Sequence, residues 1–413
     1  MNRREFLGQA ATAVVAVSTL TSCHKGGSEV APSDRVKLGI IGVGSRGQDL
    51  MQVFLRVPGV EFTGLCDVYE PRFTQGRKIT GENTPIYRSY RQLLDARDVD
   101  AVVVATPLSM HAEHVGASLD SGRHVYGEKS MALTVEGCDE IVSAVKRNGK
   151  HYQVGLQYQY APEYREALRI IRSGKIGRVL QIHAYWHRNN SWRRAVPDPK
   201  DAQLEQLINW RLYRKYSGGL LAELGSHHLG YANEVFGSLP ESVTGSGGID
   251  YWKDGREVPD NIQVTYRYPG GQTLFFSAVT TNRLEGCQIR IFATGGSIVL
   301  TQDGGTLYYE PSTEQSAVPQ ESIIEHGIIT AASYKAEEPY RGKGKKLEVP
   351  SDTSGNPEYL ACNSFIDCLR QNRHPEADEN VAWKAGVSVA LGNQAIDGGN
   401  KIVFSDQQSR GTA

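Results

Sequence analysis

The sequence has almost no net charge and no apolar run of membrane-spanning length, and these absences exclude whole classes of protein. Its 45 lysines and arginines balance 46 aspartates and glutamates, without dense runs of basic residues. Nucleic-acid binding needs clustered cations that neutralise phosphates, so we expect no nucleic-acid partner. The apolar stretch near the N-terminus is too short to predict a transmembrane helix.

Cysteine is also scarce, with six residues in the chain. Apart from Cys23, the five cysteines show no C-x-x-C spacing, and their odd number leaves at least one unpaired. This pattern predicts neither a zinc site nor a disulfide scaffold. His111 and His114 stand three residues apart with no third ligand in reach by spacing, so we expect no metal site.

Residues 1–23 have the features of an export signal. Arg3 and Arg4 precede a short apolar region, and the segment ends in "LTSC" at Cys23. The paired arginines resemble the signal for export of folded proteins, and "LTSC" resembles a bacterial lipobox. We expect a periplasmic or cell-envelope lipoprotein that touches the membrane only through a lipid on Cys23, with residues 24–34 as a flexible linker. The alternative is an ordinary N-terminal helix.

The stretch "VKLGIIGVGSRG" is typical of a dinucleotide-binding turn. An apolar run rich in β-branched residues leads directly into Gly42, Gly44 and Gly47, and a helix-compatible segment follows. In such a turn the first glycine permits the tight bend, the second admits a pyrophosphate, and the third allows close helix packing. The next apolar strand ends at Asp67, about 20 residues further on, where an acid that binds the ribose is expected.

Up to residue 158, apolar strands alternate with helical segments. This rhythm predicts an α/β Rossmann fold, with a doubly wound parallel sheet and a ligand crevice at the carboxyl ends of its strands. Four polar residues follow such strands directly: Asp67, Thr106, Lys129 and Gln157. We assign residues 35–158 to this nucleotide-binding domain.

After residue 158 strands follow one another without intervening helices, which predicts a C-terminal α+β domain with a large, mostly antiparallel sheet. The "PGG" at Pro269–Gly271 separates two alternating runs, as a hairpin turn does. We assign residues 159–404 to this substrate-binding domain, with two helices within 356–398 packing back on one of the domains. With 413 residues, two or three domains are expected at roughly 150 residues each.

Lys129 lies just beyond a strand of the parallel sheet, in "GEKSMALT". Its ammonium is therefore expected near the cofactor crevice, where it could bind a substrate hydroxyl and transfer its proton. A surface lysine paired with a neighbouring carboxylate would give the same pattern.

Glu223 and His227 stand four residues apart in "GGLLAELGSHHLGYANEVFG" and share one face if residues 219–235 are helical. A histidine supported by a carboxylate is a general-base pair, because the acid fixes the tautomer and raises the basicity of the ring. A hydrogen-bonded core histidine is the alternative. His228 points elsewhere on such a helix, as a structural residue or a substrate contact.

Two segments, "AYWHRNNSWRR" and "INWRLYRKY", combine aromatic and cationic side chains, on which sugar rings can stack and hydroxyls can form hydrogen bonds. A packed domain interface has the same composition. The candidates are Trp186, His187, Trp192, Arg193, Trp210, Arg211, Tyr213 and Arg214.

Four motifs together resemble the Gfo/Idh/MocA family of sugar-type oxidoreductases, and the resemblance covers nearly everything after the leader. "GIIGVGSRG" is similar to its cofactor loop, "ATPLSMH" to its Thr-Pro segment, "GEKSMA" to its Glu-Lys-Pro motif and "AELGSHH" to its catalytic helix. The resemblance implies that Lys129 and His227, with Glu223, are catalytic. It implies a cofactor site that also includes Ser45, Arg46, Thr106, Pro107, His111, Glu128, Lys129 and Gln157. The substrate-site candidates come instead from the aromatic and cationic segments and from the histidine pair, and they are Trp192, Arg193, Trp210, Arg211 and His228.

Three residues depart from the family pattern. Ser130 replaces a proline after Lys129, Glu223 stands where aspartate is commoner, and Gln159 stands where many relatives have arginine. The last departure leaves the charge of the substrate open.

The residues and the resemblance together predict a nicotinamide-dependent oxidoreductase acting on a saccharide or polyol. Asp67 favours NAD over NADP because a carboxylate repels a 2′-phosphate, while Arg46 and Arg72 act against that preference. An exported enzyme would have to hold its cofactor tightly, so a glycosidase or lyase that uses NAD transiently is the alternative. A third hypothesis is a sugar-binding lipoprotein without catalytic activity. Family resemblance implies a homodimer or homotetramer.

Overall fold

The computed structural model describes residue 31 and residues 34–310, 343–349 and 356–404. The expected leader with Cys23, and most of the linker and of the polar segment 314–354, lie outside the described residues. Within the described residues no helix is both long and apolar enough to cross a bilayer.

Six parallel strands form the first sheet, in the order β3-β2-β1-β4-β5-β6. Their bounds are β1 Val36–Ile41, β2 Val60–Cys66, β3 Ile86–Tyr87, β4 Ala101–Val104, β5 His124–Gly127 and β6 Tyr152–Val154. The sheet is covered on both faces, which explains why β4 is apolar and buried at every position. From β1 the chain adds β2 and β3 on one side of the sheet and then β4, β5 and β6 on the other. At such a switch in strand order, between β1 and β4, a crevice opens at the carboxyl ends of the strands.

Five helices connect these strands: α1 Ser45–Phe54, α2 Pro71–Thr80, α3 Tyr90–Leu94, α4 His111–Asp120 and α5 Val135–Asn148. Helix α5 begins after a capping residue, Thr134, whose Oγ1 accepts a hydrogen bond from the Gly137 N–H at 3.1 Å. The helix ends at Gly149, whose φ of 61° is the left-handed conformation that glycine adopts readily.

The second sheet has nine strands, in the order β14-β13-β12-β11-β7-β10-β9-β8-β15. Their bounds are β7 Val179–His187, β8 Ser242–Gly248, β9 Asn261–Arg267, β10 Thr273–Val279, β11 Cys287–Ala293, β12 Gly296–Thr301, β13 Gly304–Tyr309, β14 Lys345–Lys346 and β15 Ile402–Val403. Only β7 and β10 pair in parallel among these described strands. The predicted hairpin at 269–271 is confirmed, because β9 and β10 are antiparallel with Arg267 opposite Thr273.

Five further helices belong to the second half of the chain: α6 Pro162–Arg172, α7 Ala202–Ile208, α8 Ser226–Phe236, α9 Pro357–Gln371 and α10 Glu379–Gly398. A π-helical turn, Leu221–Gly225, leads into α8. The two C-terminal helices contact both halves of the molecule rather than one. Helix α9 packs on α1, and α10 packs on both α5 and α8. Phe365 of α9 joins Phe54 and Tyr126 in an edge-to-face cluster in the core of the first half.

Candidate active site

The three glycines of the turn after β1 have different surroundings. A Cβ atom on Gly42, whose φ is 100°, would lie 2.5 Å from the carbonyl oxygen of Ala105, and one on Gly47 would collide with the carbonyl oxygen of Gly42. A Cβ atom on Gly44 would meet nothing closer than the Arg72 guanidinium at 3.8 Å. Packing within the protein therefore explains the first and third glycines, and Gly44 faces open space.

The N-terminus of α1 receives no side-chain cap, so its first N–H groups are available. Unpaired N–H groups at a helix N-terminus favour an anion, and the open space at Gly44 lets a pyrophosphate approach the backbone. The predicted dinucleotide site thus fits the turn that the chain forms.

Asp67 directly follows β2, and its carboxylate holds the glycine turn together. Its Oδ2 accepts a hydrogen bond from the Val43 N–H and its Oδ1 one from the Tyr69 N–H, each at 2.8 Å. Arg72 Nη1 lies 3.2 Å from Oδ1 and 3.3 Å from Oδ2. Both oxygens are therefore occupied within the protein, and the charge expected to select NAD is paired with Arg72.

His111 joins the ends of β4 and β5. Its Nδ1 lies 2.9 Å from the Ser130 carbonyl oxygen and its Nε2 lies 3.0 Å from that of Thr106. A neutral ring has one N–H and can donate to only one of these oxygens. Because burial lowers its pKa, the neutral ring is favoured. His111 thus braces two loops of the predicted cofactor site.

Glu128 and Arg46 connect the cofactor turn to the end of β5. Arg46 Nε donates to Glu128 Oε1 at 2.7 Å, and Arg46 also pairs with Glu358 of α9. Burial disfavours the charged guanidinium, but the two carboxylates raise the pKa of Arg46. The Lys129 N–H donates to Glu128 Oε2 at 3.2 Å, so this ion pair leads directly to the lysine.

Lys129 points from the β5 loop toward the second half of the chain. Its Nζ donates a hydrogen bond to the carbonyl oxygen of Glu223 at 2.7 Å and lies 3.9 Å from Glu223 Oε2. Burial lowers the pKa of Lys129, while the carboxylates of Glu223 and Glu128 oppose that shift. The peptide bond between Lys129 and Ser130, where the family pattern has proline, is cis.

The predicted pairing of Glu223 with His227 is not formed. Glu223 Oε2 instead accepts a hydrogen bond from Arg211 Nε at 2.8 Å and faces Lys129. Glu223 lies in the π-helical turn before α8, so the regular i, i+4 spacing assumed for the pair does not apply. Burial would raise the pKa of Glu223, but Arg211 and Lys129 lower it, and the carboxylate stays ionised.

His227 lies 4% exposed on α8, and its ring packs against those of Tyr158 and Trp186, with centroid distances of 4.9 and 5.6 Å. Its buried Nδ1 has no hydrogen-bond partner in the described part of the chain. Burial, and the positive charge of Lys129, lower its pKa well below the usual value, so the ring is neutral at neutral pH. A neutral, unpartnered imidazole can accept a proton.

Residues from both halves of the chain surround two adjoining spaces. One, which we call the chamber, has a volume of about 560 Å³ and is lined by Lys129, Glu223 and His227. The other, which we call the groove, has a volume of about 420 Å³ and is lined by Gly42, Gly44 and Asp67. They share the lining residues Ser45, Arg46, Ala105, Thr106, Arg194, Trp210 and Arg211.

The structure brings most of the predicted site residues together here. Pro107 lines the groove. Other predicted residues line the chamber, namely His111, Glu128, Gln157, Trp192 and Arg193. Gly47 instead packs beneath the turn. His228 lines neither space: it is 0% exposed and packs on Phe276 of the sheet, which favours the structural alternative over a substrate contact. His187, Tyr213 and Arg214 also line neither space.

Two arginines that the sequence analysis did not single out line the site. Arg188 directly follows β7 and lines the chamber, and Arg194 donates from Nη2 to Ser45 Oγ at 2.9 Å. Both belong to a loop held by long-range contacts, such as Arg256 Nη2 to the Ser191 carbonyl oxygen at 2.7 Å. Within it Trp192 has a φ of 64°, which is rare for a bulky residue. The basic composition of "RNNSWRR" was the available signal.

Comparison with known families defines the class of protein. Residues 36–156 match the model described as oxidoreductase family, NAD-binding Rossmann fold, and residues 164–299 match the GFO/IDH/MocA C-terminal domain. The chain belongs to the Gfo/Idh/MocA oxidoreductase family.

Curated relatives carry the name of a hydrolase family. The chain is 30% identical over 238 residues to glycosyl hydrolase family 109 protein 1 of Shewanella sp. strain MR-4, a match covering 52% of this chain and 50% of that protein. A glycosyl hydrolase family 109 protein of Shewanella baltica strain OS155 is 30% identical over 237 residues, with the same coverage. The chain thus spans about half the length of the curated relatives it matches.

Solved structures share the fold at low sequence identity. A levoglucosan dehydrogenase in complex with NADH and levoglucosan has a TM-score of 0.69 at 18% identity, covering 89% of this chain and 99% of that one. An aldose-aldose oxidoreductase from Caulobacter crescentus, complexed with glycerol, has a TM-score of 0.68 at 21% identity and the same coverage. These similarities confirm the predicted fold class: a Rossmann parallel sheet and a second, mostly antiparallel sheet.

Proposed function

We propose that this protein transfers hydride between a nicotinamide cofactor and a hydroxyl-bearing carbon of a saccharide. The observation that carries the proposal is the chamber itself, where Lys129, Glu223 and His227 line a space that adjoins the groove at the glycine turn. A bound dinucleotide and a sugar would meet where the two spaces join.

The residues of the groove would hold the cofactor. The uncapped start of α1 and the open face of Gly44 suit the pyrophosphate, and Thr106 and Pro107 border the groove beyond it. When bound, the nicotinamide supplies the acceptor or donor of hydride. We propose NAD rather than NADP, supported by the carboxylate of Asp67 in the groove, although Arg72 offsets its charge.

Lys129 handles the hydroxyl proton in this proposal. Its Nζ is held by the Glu223 carbonyl oxygen, and its lowered pKa makes proton release easier than for a lysine in water. Neutral His227 offers a second acceptor in the same chamber. Glu223 fixes Lys129 and Arg211 rather than the tautomer of His227.

A second candidate function is favoured by the curated relatives, which are named as glycosyl hydrolases. In that reaction the sugar would be oxidised only transiently, so that a neighbouring C–H becomes acidic and the glycosidic bond can be eliminated. Water would then add to the resulting double bond, and the returning hydride would restore the hydroxyl. The base that removes such a proton would be His227, which lines the chamber as a neutral ring, although burial and Lys129 lower its pKa and so weaken it as a base. Both candidates share the first step, and they differ in whether reduced cofactor accumulates.

One experiment separates these functions. The protein is purified after export by its own leader. One portion is denatured, and the released nucleotide is measured by absorbance. A second, intact portion is incubated with free sugars and with 4-nitrophenyl glycosides. Net NADH formation with a free sugar supports the dehydrogenase, and nitrophenol release without net NADH supports the glycosidase. If the protein binds sugar but catalyses neither reaction, the third interpretation, a sugar-binding lipoprotein without catalytic activity, is supported.

We also propose that residues 1–23 direct export and that Cys23 carries a lipid anchor, as "MNRREFLGQAATAVVAVSTLTSC" suggests. Export in the folded state suits an enzyme that must acquire its cofactor before it leaves the cytoplasm. Mass spectrometry of the membrane-extracted protein tests this, with a diacylated Cys23 N-terminus expected. An intact Met1 with unmodified Cys23 would contradict it.

A further inference from the structure

The chamber carries more positive than negative charge. Its cationic lining residues are Arg46, Lys129, Arg188, Arg193, Arg194 and Arg211, and its carboxylates are Asp49, Glu128 and Glu223. Most of these cations are paired inside the protein. Arg46 pairs with Glu128. Glu223 lies close to both Arg211 and Lys129. Arg193 pairs with Glu205 and Asp254.

Arg188 and Arg194 are the cations of the chamber that have no carboxylate within 4.0 Å in the described part of the chain. Arg194 lines both spaces and donates to Ser45 Oγ at the start of α1. Its position therefore suits the anionic diphosphate of a dinucleotide. Arg188 lines the chamber and not the groove, so the cofactor phosphates do not account for it.

Arg188 is held in place by its backbone and by an aromatic ring. Its N–H donates to the Val279 carbonyl oxygen at 2.8 Å, directly after β7. Its guanidinium lies over the Trp186 ring, 5.1 Å from the centroid, and its side chain donates no hydrogen bond to another described residue. Stacking on a ring face leaves the N–H groups at the edge of the guanidinium free to bind oxygen. Burial lowers the pKa of Arg188, as for a cation short of compensating charge.

Trp186 links Arg188 to the reacting groups. The same indole that lies under the guanidinium contacts the His227 ring at a centroid distance of 5.6 Å. An anion bound at Arg188 would therefore belong to the molecule that occupies the chamber beside His227.

We propose that Arg188 recognises an anionic substituent of the saccharide, a carboxylate or an ester sulfate, so that the substrates are acidic sugars. The proposal rests on the proposed function, whose saccharide it specifies further. A planar guanidinium can bind two oxygens of either group at once. A neutral sugar would leave the half-buried charge of Arg188 without a partner.

Equilibrium binding to the purified full-length protein, measured by calorimetry, tests the proposal without requiring turnover. The ligands are matched sets: glucose, glucuronate and glucose 6-sulfate, and galactose, galacturonate and galactose 6-sulfate. In at least one set, an acidic sugar is expected to bind at least about 30-fold more tightly than its neutral counterpart. The uronates and sulfates distinguish the two sources of the anion.

Arg188→Gln is expected to remove this preference while changing neutral-sugar affinity less than about threefold, and Arg188→Lys to keep part of it. The control Arg214→Gln alters an arginine outside the chamber and should retain the preference. Circular dichroism establishes that each variant folds. Equal binding within both sets, no binding by any acidic sugar, or a preference unchanged in Arg188→Gln and Arg188→Lys would overturn the proposal. Acidic sugars that bind through Arg188 without hydride transfer or bond cleavage would refute the proposed function alone.

Discussion

Lys129 Nζ donates a hydrogen bond to the carbonyl oxygen of Glu223 at 2.7 Å, joining the two halves of the molecule in the middle of the site. Lys129 follows β5 of the parallel sheet, whereas Glu223 lies in the π-helical turn that leads to His227. The contact fixes the candidate proton-transfer group of one half against the histidine helix of the other. The relative position of the two halves therefore decides whether the chamber is assembled.

Replacing Lys129 with methionine removes the proton-transfer group and keeps much of the apolar stem. We expect kcat to fall by about 10²- to 10⁴-fold, because general acid–base catalysis contributes on that scale. Cofactor affinity, measured by nucleotide fluorescence, should change little, because the structure places Lys129 in the lining of the chamber and not in that of the groove. Lys175→Met, at an exposed position, is the matched control. Full turnover by Lys129→Met would remove the lysine from the mechanism.

The glycine turn predicts opposite outcomes for two similar substitutions. Gly44→Ala adds a methyl group in open space, at a φ of −68° that alanine adopts, so the melting temperature should be preserved. The methyl group would occupy the approach to the pyrophosphate, and cofactor affinity should fall at least about tenfold. Gly47→Ala should instead destabilise the fold by about 1–3 kcal/mol, because the methyl group meets the Gly42 carbonyl oxygen. Normal cofactor binding by Gly44→Ala would contradict the assigned site.

Arg194 is expected to slow cofactor release from the second half of the chain. Loss of a charge-assisted hydrogen bond in Arg194→Gln should raise the dissociation rate about tenfold. Displacement of prebound nucleotide, followed by stopped-flow fluorescence, measures that rate. Arg165→Gln, which removes an exposed arginine that pairs with Glu376, should leave the rate unchanged. Equal rates in both variants would place Arg194 outside the cofactor site.

Buried His228 predicts a pH dependence of stability. Burial lowers its pKa to about 4, against about 6.5 in an unfolded chain. Between these values the unfolded state binds more protons, so stability falls as pH drops from about 6.5 to 4 and is unaffected by His228 above that window. At pH 5 the loss from this residue is about 2 kcal/mol. His228→Asn should flatten the profile by that amount in urea denaturation, and an unchanged slope between pH 7 and 5 would contradict it.

The parts of the fold that depend on local patterns followed from the sequence. The glycine turn, the alternation of strands and helices up to Val154 and the hairpin at 269–271 each depend on patterns among neighbouring residues. The predicted pairing of Glu223 with His227 is not formed, because the prediction assumed a regular α-helix and a π-helical turn lies at Glu223 instead. Arg188 and Arg194 were not selected because their loop takes its shape from distant partners, including Arg256. No local pattern shows that the Arg72 guanidinium forms an ion pair with the Asp67 carboxylate.

The most direct test of hydride transfer follows deuterium from sugar to cofactor. Purified protein with its nicotinamide cofactor in the oxidised form is mixed with sugars that carry deuterium on all ring carbons, the acidic and neutral members of the sets above. The reaction is stopped during the first turnover, before a transiently oxidised sugar would be reduced again, and the nucleotide is released and weighed by mass spectrometry. A gain of one deuterium, absent in Lys129→Met, is the predicted result for the dehydrogenase and the glycosidase alike. Unlabelled nucleotide from protein that binds the sugar would contradict hydride transfer in this chamber.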